Sequence, residues 1–254
     1  MNVLTNFFVN HWLAMAFLAP MFWSLISIID AYFVKGVYRD EYDGAIIASM
    51  FQIWPCLAMV LYFKIDLVGA LIHAVYNGGL IWGIISGLIA GIFFSFSYLF
   101  YFKTLFREND AALLQIIWSS SSIFVPLFAF LLFRERLEFT SYFGIFLIML
   151  GAMALSFNKT VKTKISFAYL RTMLFAVLSI SFSMVMISKT QNYFFSQNFS
   201  EMTAFLAGFF VFGVGTFLAG FLLALFRKNN PWTVIKNNWW QFILLEVISF
   251  LGNL

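Results

Sequence analysis

The chain has 254 residues, of which 63% are hydrophobic and only 10% are charged, and its mean hydropathy is +0.92. Soluble domains are nearer half apolar and a quarter charged, so this composition excludes an ordinary soluble domain. The net charge of +4 comes from scattered Lys and Arg without a clustered basic, polar segment, which excludes a nucleic-acid-binding surface. We therefore predict an integral membrane protein.

Apolar runs near the 20 residues that a helix needs to cross a bilayer recur along the whole chain. They are too long and uninterrupted for the alternating ten-residue strands of a membrane barrel. The predicted fold is therefore an all-α bundle with short connections. Its eight spans lie at about residues 12–34, 44–63, 80–102, 111–133, 141–157, 167–188, 202–226 and 238–254.

The first span carries an acidic side chain deep in its apolar run. Trp23, Ser27 and Asp30 are spaced four and three residues apart, so they share one helical face. A carboxylate inside a membrane span is a candidate for function, and this face is a candidate substrate path. The alternative is that Asp30 lies at the membrane edge near Lys35 and Arg39.

The second span contains a predicted break. Pro55 lacks an N–H and its ring clashes with the preceding turn, so we expect the helix to be interrupted there. Gln52 lies one turn earlier and is a candidate inward-facing residue. Trp54 is also a candidate, because aromatic rings away from span ends can wall a cavity, although simple packing explains it equally well.

The third span has glycine at every fourth residue, at Gly79, Gly83, Gly87 and Gly91. Glycine is a poor helix former in water, but in lipid it lets another helix approach closely. The row predicts a groove in which a second helix lies. Static packing is the simpler interpretation, and a sliding seam between moving bundles is the functional one.

The fourth span carries a polar stripe. Gln115, Ser119, Ser122 and Pro126 are spaced four, three and four residues apart and share a face that we expect to point into the bundle. These side chains can line a substrate path or serve as interhelical hydrogen bonds. Trp118 is a further candidate for the wall of a cavity.

The second half of the chain faintly repeats the first at an offset of 154 residues. Ile26, Ser27 and Lys35 align with Ile180, Ser181 and Lys189, and Ser95 and Phe96 align with Ser249 and Phe250. The units are 1–157 and 167–254, separated by a polar linker, 158–166. An odd number of spans in each unit would invert the copy. A full copy of five spans would need about 55 residues beyond Leu254.

Glu246 lies about eight residues into the last predicted span. A carboxylate in this position can bind a proton or a cationic substrate group. The alternative is that it reaches water at a nearby interface, because the start of the span is uncertain.

The segment "YFKTLFRENDAALLQIIWSSSSIFVPLFAFLLFRERLEFTSYFGIFLIMLGAMAL" (101–155) resembles the EamA family of the drug/metabolite transporter superfamily. The matching parts are Tyr101-Phe102-Lys103, Glu135-Arg136-Leu137, and Gly144 with "LIMLG" (147–151). The segment "FWSLISIIDAYFVKG" (22–36) resembles the first helix of that family. The chain departs from the pattern at Arg134, where glycine is usual, and at Pro126, which comes late. The resemblance implies ten helices in two inverted five-helix halves, a central cavity and transport of small metabolites across the inner membrane.

Other functional classes lack their motifs. There is no phosphate-binding glycine–lysine loop, so no ATP hydrolysis is expected. The two histidines, His11 and His73, are far apart, so neither a metal nor another cofactor is expected. The serines of "WSSSS" lack a strand–turn–helix context, so the chain is not expected to be an enzyme.

The basic residues conflict with the orientation that the resemblance implies. With a cytoplasmic N-terminus, four basic residues lie in inward loops and eleven in outward loops. The positive-inside rule therefore favours the opposite orientation. The inward set is Lys64, Arg134, Arg136 and Lys189, and the outward set is Lys35, Arg39, Lys103, Arg107, Lys159, Lys162, Lys164, Arg171, Arg227, Lys228 and Lys236.

Together these features predict a multi-pass inner-membrane transporter that moves a small organic metabolite, such as an amino acid, by alternating access. Protons are a candidate coupling ion, and membrane lipid is the other expected contact. One alternative is a non-transporting subunit that packs against a partner through the glycine groove. Another is translocation of a lipid-linked carrier on the same fold.

Overall fold

A computed structural model describes residues 12–108, 114, 117–118, 120–136, 138–140, 142–147, 150, 167–227 and 231–252. These residues are overwhelmingly helical and include no strand, which confirms the predicted all-α class. The main helices are α1 (Trp12–Gly36), α2 (Glu41–Phe51), α3 (Trp54–Tyr62), α4 (Leu67–Tyr76), α5 (Ser86–Glu108), α6 (Ser121–Phe133), α7 (Phe167–Ser196), α8 (Glu201–Phe226) and α9 (Trp232–Leu251). A π-helical segment, Leu80–Ile85, leads directly into α5.

Four continuous segments of the described chain are long and apolar enough to cross a membrane. They are Glu41–Tyr62, Leu80–Arg107, Phe167–Ser196 and Glu201–Phe226. Large apolar side chains on several helices face outward, among them Ile28, Leu61 and Leu225. A water-soluble surface rarely exposes so much apolar area, whereas lipid covers it without cost. These features fit a helical membrane bundle.

The predicted break in the second span lies where Pro55 requires it. Helix α2 ends at Phe51, and α3 begins at Trp54 with Pro55 in its first turn. Proline is tolerated there because the N–H groups of a first helical turn have no partner within the helix. The break leaves Gln52 between the two helices, buried beside the core.

Two parts of the predicted span pattern differ from the structure. The prediction of short connections overlooked α4, whose ten residues are too few to cross a bilayer; the Asp66 carboxylate caps it by accepting the N–H of Gly69 at 2.8 Å. The last helix begins at Trp232 rather than near 238, because the polar residues 236–238 lower hydropathy without ending a helix. Within the predicted fourth span, residues 114, 117 and 118 are helical, and α6 begins at Ser121. Of the predicted fifth span, 142–147 and 150 are described and helical.

The glycine row forms the central seam of the bundle, where the π-segment and α5 pack against α7 and α8. A Cβ on Gly79 or Gly83 would overlap the ring of Tyr193 in α7. A Cβ on Gly91 would overlap backbone atoms of α8, including the Phe212 carbonyl. Two helices of the same chain, α7 and α8, therefore fill the groove.

Hydroxyl groups tie the same seam together. The hydroxyls of Ser86 and Thr190 are 2.7 Å apart, and Ser183 donates a hydrogen bond of 2.7 Å to the carbonyl of Ala90. Such interhelical bonds add stability where two helices lie too close for large side chains. The seam fixes α5 against the second half of the chain, and α5 in turn positions the site described next.

Candidate functional site

Two buried carboxylates come from opposite ends of the sequence. Asp30 lies in the last two turns of α1, and Glu246 lies about three quarters of the way along α9. Each is only 3% exposed. Burying a carboxylate without a counter-charge is costly, so its retention in a helical membrane bundle points to a role in function.

Three tyrosines surround the two acids. Tyr98 and Tyr101 are three residues apart on α5, so one helical face presents both, and Tyr38 follows α1. All three are buried. We call Asp30, Tyr38, Tyr98, Tyr101 and Glu246 the acid–tyrosine cluster.

The members of the acid–tyrosine cluster interact directly. The Tyr101 hydroxyl donates a hydrogen bond to the Asp30 carboxylate and shares another with Ser27. Glu246 lies within electrostatic range of Asp30, Tyr38 and Tyr98. Within the described part of the chain, Oε2 of Glu246 and the hydroxyl of Tyr38 have no hydrogen-bond partner. Native proteins rarely leave buried polar atoms unpaired, so both are available to a ligand or a proton.

Aromatic rings wall the cluster. Tyr38 stacks on Phe242 of α9 with ring centroids 5.9 Å apart, and Tyr98 stacks on Phe102 at the same separation. Trp118 meets the Tyr101 ring edge-on at 5.1 Å. These contacts hold the tyrosine rings in fixed positions around the acids.

No base balances these acids among the described residues. The charged groups that act on the cluster are its own two acids and Asp43, which acts on Tyr38. The site is therefore acidic and aromatic. It is suited to a cation or to exchangeable protons rather than to an anion.

Four of the predicted site residues come together here. Asp30 and Glu246 are in the cluster, Ser27 bonds to Tyr101, and Trp118 packs on the same ring. The alternatives for the acids were positions at a membrane edge. The structure buries both carboxylates within the bundle, while Lys35 is exposed.

The other predicted site residues are dispersed or not described. Trp23 is partly buried on α1, and its Nε1 approaches Gly252 at the end of α9. Gln52 is buried at the α2–α3 break, and its Oε1 has no partner in the described chain. Ser122 is partly buried in α6, whereas Trp54 is 50% exposed on the outside of the bundle. Gln115 and Ser119 lie outside the described residues.

The sequence interpretation missed the three tyrosines. The chain has 10 Tyr, and most resemble the aromatic residues that collect at membrane interfaces. The available signal was the spacing of Tyr98 and Tyr101 on one face of an apolar span, the same criterion that selected Trp23, Ser27 and Asp30.

The sequence interpretation also missed an ion cluster at one end of the bundle, made of Arg39, Asp40, Asp43 and Arg227. Arg227, which follows α8, pairs with both Asp40 and Asp43. Arg39 Nε lies 2.9 Å from Oδ2 of Asp43, and this hydrogen bond raises the pKa of the Arg39 guanidinium above its ordinary value. Arg39 therefore stays charged. We call this group the Arg227 ion cluster.

The opposite end carries a simpler contact, the Lys189 ion pair. Lys189 of α7 pairs with Glu135, which follows α6. The Lys189 Nζ also lies 4.4 Å from the centre of the Phe133 ring. Because both groups are partly exposed, water and salt weaken their attraction.

No protein-family model, curated protein or solved structure matches the chain. The acid–tyrosine cluster is therefore the feature of the chain whose chemistry points to a function. Two buried carboxylates in a membrane bundle can alternate between holding protons and holding a cation. Membrane transporters use buried acids in this way to bind and release protons and cations.

Proposed function

We propose that this protein is a secondary transporter of the inner membrane that moves a small organic metabolite by alternating access. The observation that carries the proposal is the acid–tyrosine cluster, with its two carboxylates buried among helices. An ionisable group inside a membrane protein marks a substrate or ion pathway by default, because its burial must be offset by function or by pairing.

The arrangement of helices supports a two-half mechanism. At the offset of 154 residues, α1 corresponds to α7, α2 to α8, and the π-segment with α5 to α9. The start of α8 lies six residues after its expected position, and the start of α9 lies two residues before its expected position. Asp30 then belongs to the first half and Glu246 to the second. The EamA resemblance proposes the same two inverted halves, with the substrate between them.

The alternative of a docking subunit is less well supported. A partner helix in the groove of Gly79, Gly83, Gly87 and Gly91 would have to displace α7 and α8, which already fill it. No described feature favours a lipid-linked carrier over a small solute.

Transport can be tested with the full chain in proteoliposomes. A panel of radiolabelled metabolites would be measured with and without a pH gradient. For any solute that is transported, Glu246→Gln should abolish the dependence of flux on the gradient, because the amide cannot exchange a proton. Glu201→Gln is the matched control, since Glu201 is an exposed acid in the first turn of α8.

Two results would count against the proposal. One is the absence of flux for every solute in the panel from protein that is monodisperse and helical. The other is an unchanged dependence on the pH gradient in Glu246→Gln, which would remove this residue from coupling.

A further inference from the structure

From the composition of the acid–tyrosine cluster we infer that the substrate is a small organic cation with an ammonium group and no carboxylate. The inference rests on the proposed transport function for the substrate's route, but binding at the site can be measured without transport. The inference narrows the predicted class of substrate, which included amino acids, to cations that carry no carboxylate.

The charge of the acid–tyrosine cluster favours a cation as the substrate. Asp30 and Glu246 are both buried, and no Lys, Arg or His of the described chain is among the groups that act on them. An amino acid would bring its own carboxylate close to two others without a base to receive it. Like charges in a desolvated site cost several kcal/mol, so a zwitterion or an anion is disfavoured.

The aromatic rings around the two acids also favour an organic ammonium group. The faces of tyrosine and tryptophan rings attract an organic ammonium, and the attraction grows when water is excluded. Tyr38, Tyr98 and Tyr101 lie around the acids, and Trp118 packs behind Tyr101. A metal ion would instead need several oxygen or nitrogen ligands, and the described residues include no group of three or more His, Cys, Asp or Glu placed to hold one.

The unpaired carboxylate oxygen of Glu246 provides a further place for a cation to bind. Oε2 of Glu246 accepts hydrogen bonds, and an ammonium N–H or a polarised N–CH₃ group can supply the missing contact. One monovalent cation balances one carboxylate, and one retained proton neutralises the other. A proton and the cation therefore compete for the same acids, and affinity should fall as the pH is lowered. Among the residues that the structure describes, the titratable groups that face this site are Asp30, Tyr38, Tyr98, Tyr101, Glu246 and, more remotely, Asp43.

Binding to the purified full chain in nanodiscs would be measured by calorimetry. The probes are methylammonium, choline, the uncharged choline isostere 3,3-dimethylbutan-1-ol, and glycine betaine, which adds a carboxylate. We expect an ammonium probe to bind, with the isostere and betaine each weaker by about tenfold or more. Lowering the pH should weaken ammonium binding.

Variants locate the site. Asp30→Asn and Glu246→Gln should each weaken ammonium binding on the order of 30-fold, and Glu201→Gln should not change it. Asp30→Asn also removes the charged partner of Tyr101, so this variant alone does not separate lost binding from a disturbed fold. A second pair of variants, which leaves both acids in place, makes that distinction. Tyr98→Phe keeps the ring and should retain affinity, whereas Tyr98→Leu should weaken it about tenfold.

Three results of the binding measurements would overturn the inference: no ammonium probe binds, betaine or the isostere binds as tightly as choline, or both acid variants retain full affinity. Flux of a neutral or anionic solute that depends on Glu246 would also overturn it, while leaving the transport proposal intact. Saturable ammonium binding that needs both acids, without flux of any solute, would support the inference and contradict transport.

Discussion

The two ends of the bundle are held by ion pairs of very different construction. In the Arg227 ion cluster, Asp43 is fully buried and the Arg227 side chain is only 7% exposed, and four charged groups share the contacts. In the Lys189 ion pair, the lysine side chain is 22% and the Glu135 side chain 50% exposed. Both contacts join the predicted first half of the chain to the second.

The difference shows how ion pairs can hold two ends of one bundle unequally. Breaking a buried pair leaves a charge that water cannot reach, whereas breaking an exposed pair returns both groups to water. If the two halves rock against each other, the Arg227 end should resist opening more than the Lys189 end. We therefore expect the end with the Arg227 ion cluster to be the more firmly held.

The largest effect is expected from Arg227→Gln. The substitution leaves Asp43 buried with Arg39 as its remaining partner and frees Asp40. We expect a loss of about 3 kcal/mol or more in the free energy of unfolding. Unfolding in mixed detergent micelles, followed by circular dichroism, measures it.

The double variant Asp43→Asn/Arg227→Gln is the control for this prediction. Because it removes both members of the pair, it should be more stable than Arg227→Gln alone. A loss of less than about 0.5 kcal/mol in the single variant would mean that the Arg227 ion cluster does not close this end.

The sequence predicted the local features of the site better than its long-range contacts. Asp30 and Glu246 were identifiable because a charge within an apolar run is unusual, and the break before α3 followed from Pro55. The sequence did not predict helix α4, because its ten residues are too few for a membrane span and were interpreted as part of a connection.

The tertiary contacts could not be predicted in the same way. Arg227 and Asp43 are 184 residues apart, and a lone arginine after a span normally indicates only a membrane boundary. The spacing of Tyr98 and Tyr101 places them on one face of α5, but it does not indicate that this face lies near Asp30 and Glu246. Propensity and hydropathy describe one helix at a time, so they do not specify which helices meet.

A smaller effect is expected at Asp40, which has two roles. One carboxylate oxygen caps α2 by accepting the N–H groups of Tyr42 and Asp43 at 3.0 and 3.1 Å, and the other pairs with Arg227. Asp40→Asn keeps a capping oxygen and loses the charge, so stability should fall by about 0.5–1 kcal/mol. Asp40→Ala should lose about 1 kcal/mol more, because the cap is also removed.

The comparison of these two variants in the same unfolding assay separates capping from pairing. If Asp40→Asn is as damaging as Asp40→Ala, the charge dominates and the cap adds little. If Asp40→Asn is neutral, Asp43 alone accounts for the electrostatic hold on Arg227.

The smallest effect is expected from Lys189→Gln at the opposite end. The substitution removes an exposed ion pair and the contact of the ammonium with the Phe133 ring, so the free energy of unfolding should fall by no more than about 1 kcal/mol. Raising the salt concentration should shrink this difference, because an exposed pair is screened. Glu135→Gln is the matched variant and should behave alike. A loss as large as that of Arg227→Gln, insensitive to salt, would show that the two ends are held equally firmly and would remove the asymmetry inferred for the bundle.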